Sequence, residues 1–112
     1  MIIKTVKLNA AAVIELKGDL TSLSKDVEFG DTLRRLLLEG KKNIVVDLKK
    51  TGYLNSSGLG MLVGGYTTVK NAGGELRLAN PTDKIESLLV ITKLISVFAT
   101  YASVEEAVKS FE

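Results

Sequence analysis

The sequence of 112 residues contains no cysteine, no histidine and a single proline. The absence of cysteine excludes disulfides, thiolate nucleophiles and thiolate metal sites. The absence of histidine removes the usual general base, the usual metal ligand and the usual pH switch. The chain has no N-terminal signal pattern, and no apolar run approaches the roughly 20 residues that span a bilayer. We therefore predict a cytoplasmic protein with no metal ion, no cofactor and no direct membrane insertion.

The motifs of self-contained enzymes are also missing. Without histidine and cysteine, neither a Ser-His-Asp triad nor a Cys-His pair can be built. There is no phosphate-binding P-loop and no dinucleotide fingerprint, and Gly58-Leu59-Gly60 alone is a weak signal. The formal net charge is only +2 and the charges do not cluster, so nothing favours a nucleic-acid partner. We predict that the protein is not an enzyme, and an enzyme or nucleotide-binding domain is the least favoured interpretation.

The apolar pattern predicts strands that alternate with helices within one domain, residues 1–112. The predicted strands cover residues 2–8, 11–16, 43–48, 75–79 and 97–101, and the predicted helices cover 23–38, 59–70, 83–94 and a last segment capped by Ser103. Asn9 suits a hairpin turn between the first two strands. The alternation that follows predicts an α/β fold with a central mixed, mostly parallel sheet of about four to five strands and about four helices.

The chain is organised around the stretch from Leu54 to Gly60, which lies between a predicted strand and a predicted helix. A serine or asparagine before an apolar periodic run is a good helix N-cap. Because the N-terminus of a helix favours negative charge, this junction would tolerate a phosphate on Ser56 or Ser57. The glycines at positions 58 and 60 leave room for another protein to approach closely.

The helical spacing also predicts which side chains face inward. For the second helix, the predicted buried stripe comprises Leu59, Leu62, Val63, Tyr66 and Val69, and the predicted exposed strip comprises Gly60, Met61, Gly64, Gly65 and Thr68. Met61 is read equally as an adaptable contact or as an isolated surface residue. For the third helix, the predicted inward residues are Ile85, Leu88, Leu89 and either Ile91 or Thr92. An exposed strand face is the favoured position for Asp47.

The predicted topology places two polar stretches, 18–22 and 54–60, at the carboxyl ends of parallel strands. These ends meet at one edge of the sheet, which is the usual functional edge of such folds. We therefore expect the two stretches to be neighbours in space. Thr21 and Ser22 are candidates for helix capping and for contact with a partner, and both roles can hold at once.

Five stretches spread over nearly the whole chain form a family pattern. They are Gly18-Asp19-Leu20, Ile44-Val45-Val46-Asp47-Leu48, Tyr53-Leu54-Asn55-Ser56-Ser57-Gly58-Leu59-Gly60, Asn71-Ala72-Gly73-Gly74-Glu75-Leu76 and Ser103-Val104-Glu105-Glu106-Ala107. In these stretches the chain resembles the STAS-domain anti-sigma factor antagonists of bacteria. The Ser-Ser-Gly-Leu-Gly loop between a strand and a helix is a fairly specific feature in this setting.

The resemblance implies a switch rather than a catalyst. In this family an anti-sigma factor that is also a serine kinase phosphorylates the serine that corresponds to Ser56. The unphosphorylated form binds this partner and frees a sigma factor, and a phosphatase resets the phosphorylated form. The surface implied to bind the partner comprises Gly18, Asp19, Thr21, Ser22, Asn55, Ser56, Ser57, Gly58, Gly60, Met61 and Gly64.

The sequence departs from the family at two positions near the acceptor serine. Asn55 replaces the usual aspartate before that serine, and Thr21 replaces an acid after Gly18-Asp19. Asparagine keeps a polar cap of similar shape, but it cannot take a proton or carry a charge as aspartate can. These departures favour an alternative, a STAS scaffold subunit of a signalling or transporter assembly that is not phosphorylated.

Overall fold

The fold is given by a computed structural model, which describes the backbone of residues 2–8, 11–19 and 23–111 and the side chains of 11–19 and 28–111. The elements in chain order are β1 (Ile2–Leu8), β2 (Ala11–Lys17), α1 (Leu23–Leu38), β3 (Asn43–Lys50), α2 (Ser56–Asn71), β4 (Glu75–Ala79), α3 (Asp83–Ile91), a 3₁₀ turn (Leu94–Ser96), β5 (Thr100–Tyr101) and α4 (Val104–Lys109). In this described part of the chain, no helix combines the length and the apolar character that a bilayer crossing needs.

The strands form one five-stranded sheet in the order β1-β2-β3-β4-β5. β1 lies at an edge and pairs antiparallel with β2, whereas the other neighbouring strands pair parallel. The predicted α/β fold with a mixed, mostly parallel sheet is therefore confirmed. The turn predicted at Asn9 lies outside the described residues.

Alternate side chains of β3 enter two apolar layers, as the two-residue period of a strand requires. Ile44, Val46 and Leu48 are buried in the larger layer, to which α1, α2 and α3 contribute. Val45 is buried in a smaller layer with residues of α4. The near-continuous apolar sequence of β3 is thus explained by burial on both faces of the sheet.

The segment after α3 differs from the prediction. α3 ends at Ile91, and Lys93 adopts a left-handed conformation with φ of 63°, which a continuing α-helix does not accommodate. β5 contains only Thr100–Tyr101. Phe98, which the pattern places in that strand, is instead buried outside it in the larger apolar layer. Burial of its ring therefore fixes this segment without a longer strand.

The predicted exposed strip of α2 is wrong at Met61 and Gly65, which are both buried. A Cβ atom on Gly65 would lie 2.6 Å from Cε2 of Phe29 and 2.9 Å from Cδ1 of Leu33, so α1 lies directly against the backbone of α2 at this point. Met61 is 3% exposed and belongs to the larger apolar layer. We therefore assign Met61 and Gly65 to the contact between the two helices rather than to a surface for a partner.

The two adjacent glycines of α2 provide a test of this packing. Gly65→Ala forces the buried Phe29 ring to move, and we expect it to lower the free energy of unfolding by about 1–3 kcal/mol. Gly64→Ala is the matched control, because a Cβ atom on Gly64 meets nothing within 4 Å. This exposed helical site should gain roughly 0.5–1 kcal/mol from the change. Urea denaturation measures both values, and equal effects of the two substitutions would contradict the close approach of α1.

Candidate functional site

The carboxyl ends of β2 and β3 are joined by two hydrogen bonds that lie beside the candidate site. The Gly18 amide donates to the Lys50 carbonyl at 3.0 Å, and the buried Thr51 hydroxyl donates to the Leu16 carbonyl at 3.0 Å. A Cβ atom on Gly52 would lie 3.6 Å from Oδ1 of Asp19. Gly18 and Asp19 are therefore neighbours of the segment that leads into α2. Thr21 and Ser22, the other predicted contacts here, lie outside the described residues.

Asn55 determines where α2 begins. Its backbone is extended, with φ of −98° and ψ of −168°, and its side-chain oxygen accepts a hydrogen bond from the Gly58 amide at 3.0 Å. The Asn55 carbonyl also accepts a hydrogen bond from the Leu59 amide at 2.8 Å. This N-cap makes Ser56 the first helical residue, so the helix starts earlier than the apolar pattern predicts.

The two serines at the start of α2 differ in exposure. Ser56 is exposed, whereas Ser57 is half-buried. The first turn of α2 contains no acidic residue, whereas α3 carries Asp83 and Glu86 in its first turn. The partial positive charge at the N-terminus of α2 is therefore not offset by a carboxylate from its own first turn. A negatively charged group on Ser56 would be electrostatically favoured here.

One face of α2, here called the bare face, carries no side chain at the two positions that follow Ser56 on it. Gly60 and Gly64 follow Ser56 at intervals of four residues, so the three positions share one face of the helix. Both glycines are exposed, and a Cβ atom on either would meet no other atom within 4 Å. Gly58, by contrast, is buried. The structure therefore leaves a flat surface at Gly60 and Gly64 that another protein could approach closely.

A groove of about 860 Å³ separates the start of α2 from α3. Its apolar lining includes Leu59 and Leu88, and its polar lining includes Asn55, Ser56 and Lys84. Ser56 thus lines a groove that is largely apolar. The sequence does not predict this groove, since the groove depends on how α3 packs beside α2.

On the α3 side of the groove, one prediction of buried residues is wrong. Ile91 and Thr92 are the alternatives predicted to face inward, but both are exposed, and Ile91 is 77% exposed. Ile85 and Leu89 are buried as predicted, and Leu88 is half-buried. The sequence itself contains a sign that some of these residues are exposed, since residues 88–91 are four consecutive apolar residues. Successive residues of a helix point about 100° apart, so the four cannot all face one layer.

Asp47 has a structural role next to the site. It is 8% exposed, so the favoured prediction of an exposed strand face is wrong. Its Oδ1 accepts hydrogen bonds from Nδ2 of Asn80 and from the Lys49 amide, each at 3.0 Å. Asn80 has a left-handed φ of 54°. The carboxylate therefore holds the turn after β4 against β3.

The chain is similar in sequence to proteins of one domain family. The family model described as the STAS domain matches residues 2–107. The anti-sigma-B factor antagonist of Bacillus subtilis is 33% identical over 87 residues, which are 75% of this chain and 80% of that protein. The anti-sigma F factor antagonist of Paenibacillus polymyxa is 25% identical over 103 residues, which are 89% of this chain and 86% of that protein. The chain belongs to the STAS-domain anti-sigma factor antagonist family.

A solved structure agrees with the STAS fold. The structure of the Bacillus cell fate determinant SpoIIAA in the phosphorylated form superimposes with a TM-score of 0.77. It covers 99% of this chain and 100% of that one at 18% sequence identity. At this identity, the likeness establishes the STAS fold alone. The family resemblance seen in the sequence is thus confirmed by the sequence relatives, and the fold is confirmed by the structural comparison.

The N-cap of α2 in this STAS domain can be tested by two substitutions at one position. Asn55→Ala removes the side-chain acceptor for the Gly58 amide, and we expect a loss of about 1 kcal/mol in the free energy of unfolding. Asn55→Asp keeps an acceptor and adds negative charge at the helix N-terminus, so stability should stay equal or rise by about 0.3–1 kcal/mol. Chemical denaturation at neutral pH measures both, and equal stability of the two variants would contradict the capping role.

Proposed function

We propose that this protein is an anti-sigma factor antagonist that binds an anti-sigma factor when Ser56 is unphosphorylated and is released when Ser56 is phosphorylated. The observation that carries the proposal is an exposed serine at the first position of α2, where the first turn has no acid of its own. The names of the two sequence relatives support antagonism of an anti-sigma factor. We further propose that residues 1–112 act as one STAS domain in the cytoplasm.

The position of Ser56 suits a modification that changes binding while leaving the fold intact. A phosphate adds about 1.5 to 2 negative charges at neutral pH, and the N-terminus of a helix is a favourable place for them. The same charge and bulk would enter the contact with a partner that covers the bare face of α2. An unpaired charge buried at an interface costs several kcal/mol, which corresponds to orders of magnitude in affinity.

The partner surface in this proposal differs from the predicted set. Gly18 and Asp19 lie beside Gly52, and Gly60 and Gly64 lie on the same face of α2 as Ser56. Met61 is buried against the core and is removed from the surface. We retain Asn55 and Gly58 as the pair whose hydrogen bond caps α2, and Ser57 as a half-buried residue of the same turn. The partner would therefore cover the carboxyl end of β2, the loop before α2 and the face of that helix from Ser56 to Gly64.

The kinase activity is proposed to belong to the anti-sigma factor. The Ser56 Oγ would attack the γ-phosphorus of a nucleoside triphosphate held by that kinase. The bond from phosphorus to the nucleoside diphosphate would break, and the hydroxyl proton would pass to a base of the kinase. Asn55 is a hydrogen-bond acceptor for α2 but a poor proton acceptor, so this chain supplies the hydroxyl and its orientation. A phosphatase would hydrolyse the phosphoserine and restore binding.

Phosphorylation at Ser56 can be tested by mass spectrometry of the protein from its native cells. We expect a species heavier by one phosphoryl group under at least one growth condition, with the group mapped to Ser56 by fragmentation. Ser56→Ala should abolish this species and preserve binding to the anti-sigma factor. Ser57→Ala is the matched control and should retain the phosphate.

Two outcomes would contradict the assignment of Ser56 as the phosphorylated residue. Phosphate that persists in Ser56→Ala would show that another residue is the acceptor. An unmodified protein in every condition, together with a stable copurifying assembly, would favour the alternative of a STAS scaffold subunit, to which the neutral Asn55 also points.

A further inference from the structure

The outer surface of α3 exposes apolar side chains that the proposed switch does not use. Ile91 is 77% exposed and Val90 is 59% exposed. Ile95 and Val97, which follow α3 in the chain, are 40% and 39% exposed. A contiguous exposed apolar patch is a feature of protein interaction sites, and Val90 and Ile91 are adjacent at the end of α3.

Asp83, Ser87 and Ile91 form a ridge along this surface. They follow one another at intervals of four residues, which places them in one row along the helix. All three line the groove shared with the start of α2, and all three also line a second depression of about 460 Å³ on α3. A ridge with a depression on each side has a shape onto which another helix can pack, with its own side chains entering the two depressions.

The two depressions differ in chemistry. The groove beside α2 has apolar walls that include Leu59 and Leu88. The second depression is lined by Val90 and Ile91 together with the carboxylates of Asp83 and Glu86. Within the described side chains, no basic residue lines this second depression. A lysine or arginine from a partner would therefore find two carboxylates for its charged group and apolar surface for its alkyl stem.

We propose that the α3 ridge docks an amphipathic helix of a partner protein. The helix would place an apolar side chain in the groove beside Leu59 and Leu88, and a lysine or arginine in the depression beside Asp83 and Glu86. The inference rests on the proposed function in one respect: Ser56 lines the same groove, so a phosphate there would lie next to the docked helix. It extends the partner surface from α2 across to α3.

The test uses a phage-displayed library of random peptides of about 16 residues, selected against the unphosphorylated protein. The enriched peptides should combine helically spaced apolar residues with lysine or arginine. Ile91→Asp should weaken the binding of the corresponding synthetic peptides at least about tenfold, since it removes the apolar side chain that the docked helix would cover and leaves there a charge that docking would desolvate. Leu38→Asp is the matched control, because Leu38 is 89% exposed at the end of α1 and lines neither depression.

A charge exchange tests the acidic depression separately. Glu86→Lys should weaken the peptide about tenfold, and replacement of the basic peptide residue by glutamate should restore binding to this variant. Glu105→Lys is the matched control, since Glu105 is also an exposed acid in the first turn of a helix but lies on α4. Ser87→Trp blocks the ridge by size and serves in place of Ile91→Asp if that variant fails to fold.

Three results would overturn the proposal. They are the absence of enriched peptides, peptides that bind Ile91→Asp and Ser87→Trp as well as the unmodified protein, and a charge preference that Glu86→Lys does not change. Because the selection needs neither a kinase nor phosphate, it stands apart from the phosphorylation result. If the protein is never phosphorylated in cells, it can still bind the helical peptides. If Ser56 is phosphorylated in cells, the unphosphorylated protein can still fail to bind them.

Discussion

The hydrogen bond from the Gly58 amide to the side chain of Asn55 sets the first residue of α2, and the arrangement of the site follows from that register. Each residue turns the helix by about 100°, so a helix shifted by one residue would present a different set of side chains to α1. With Ser56 as the first residue, Gly65 meets α1 while Gly60 and Gly64 face open space. The cap therefore places an accessible serine above a bare helix face.

The parallel strands bring this helix start to the edge where β2 also ends. The buried Thr51 hydroxyl bridges from the end of β3 to the Leu16 carbonyl on β2. Because an unsatisfied buried carbonyl is costly, this bond holds the two strand ends together more firmly than surface contacts would. Asp19 and the loop before α2 consequently form one surface, although they are separated by more than thirty residues of sequence.

The first turn of α2 differs in charge from the first turns of α3 and α4. Acidic residues occupy the first turns of α3 and α4 and offset the partial positive charge there, whereas the first turn of α2 has none. On the other side of the groove, Asp83 belongs to the α3 ridge, and Glu86 lines the second depression beyond that ridge. The groove therefore has the N-terminus of α2, which favours negative charge, on one side. On its other side lies α3, with both apolar and acidic side chains.

The sequence by itself determined the order of strands and helices, since each has its own apolar period and most have clear ends. It also indicated a serine or asparagine cap at the start of α2, because a cap depends on residues within one turn of helix, but it placed the first helical residue at Leu59 instead of Ser56. Tertiary structure decided the burial of Met61 and Gly65 and the exposure of Ile91. Local periodicity marks only an apolar side of a helix, whereas the neighbours that pack against it decide how much of that side is covered.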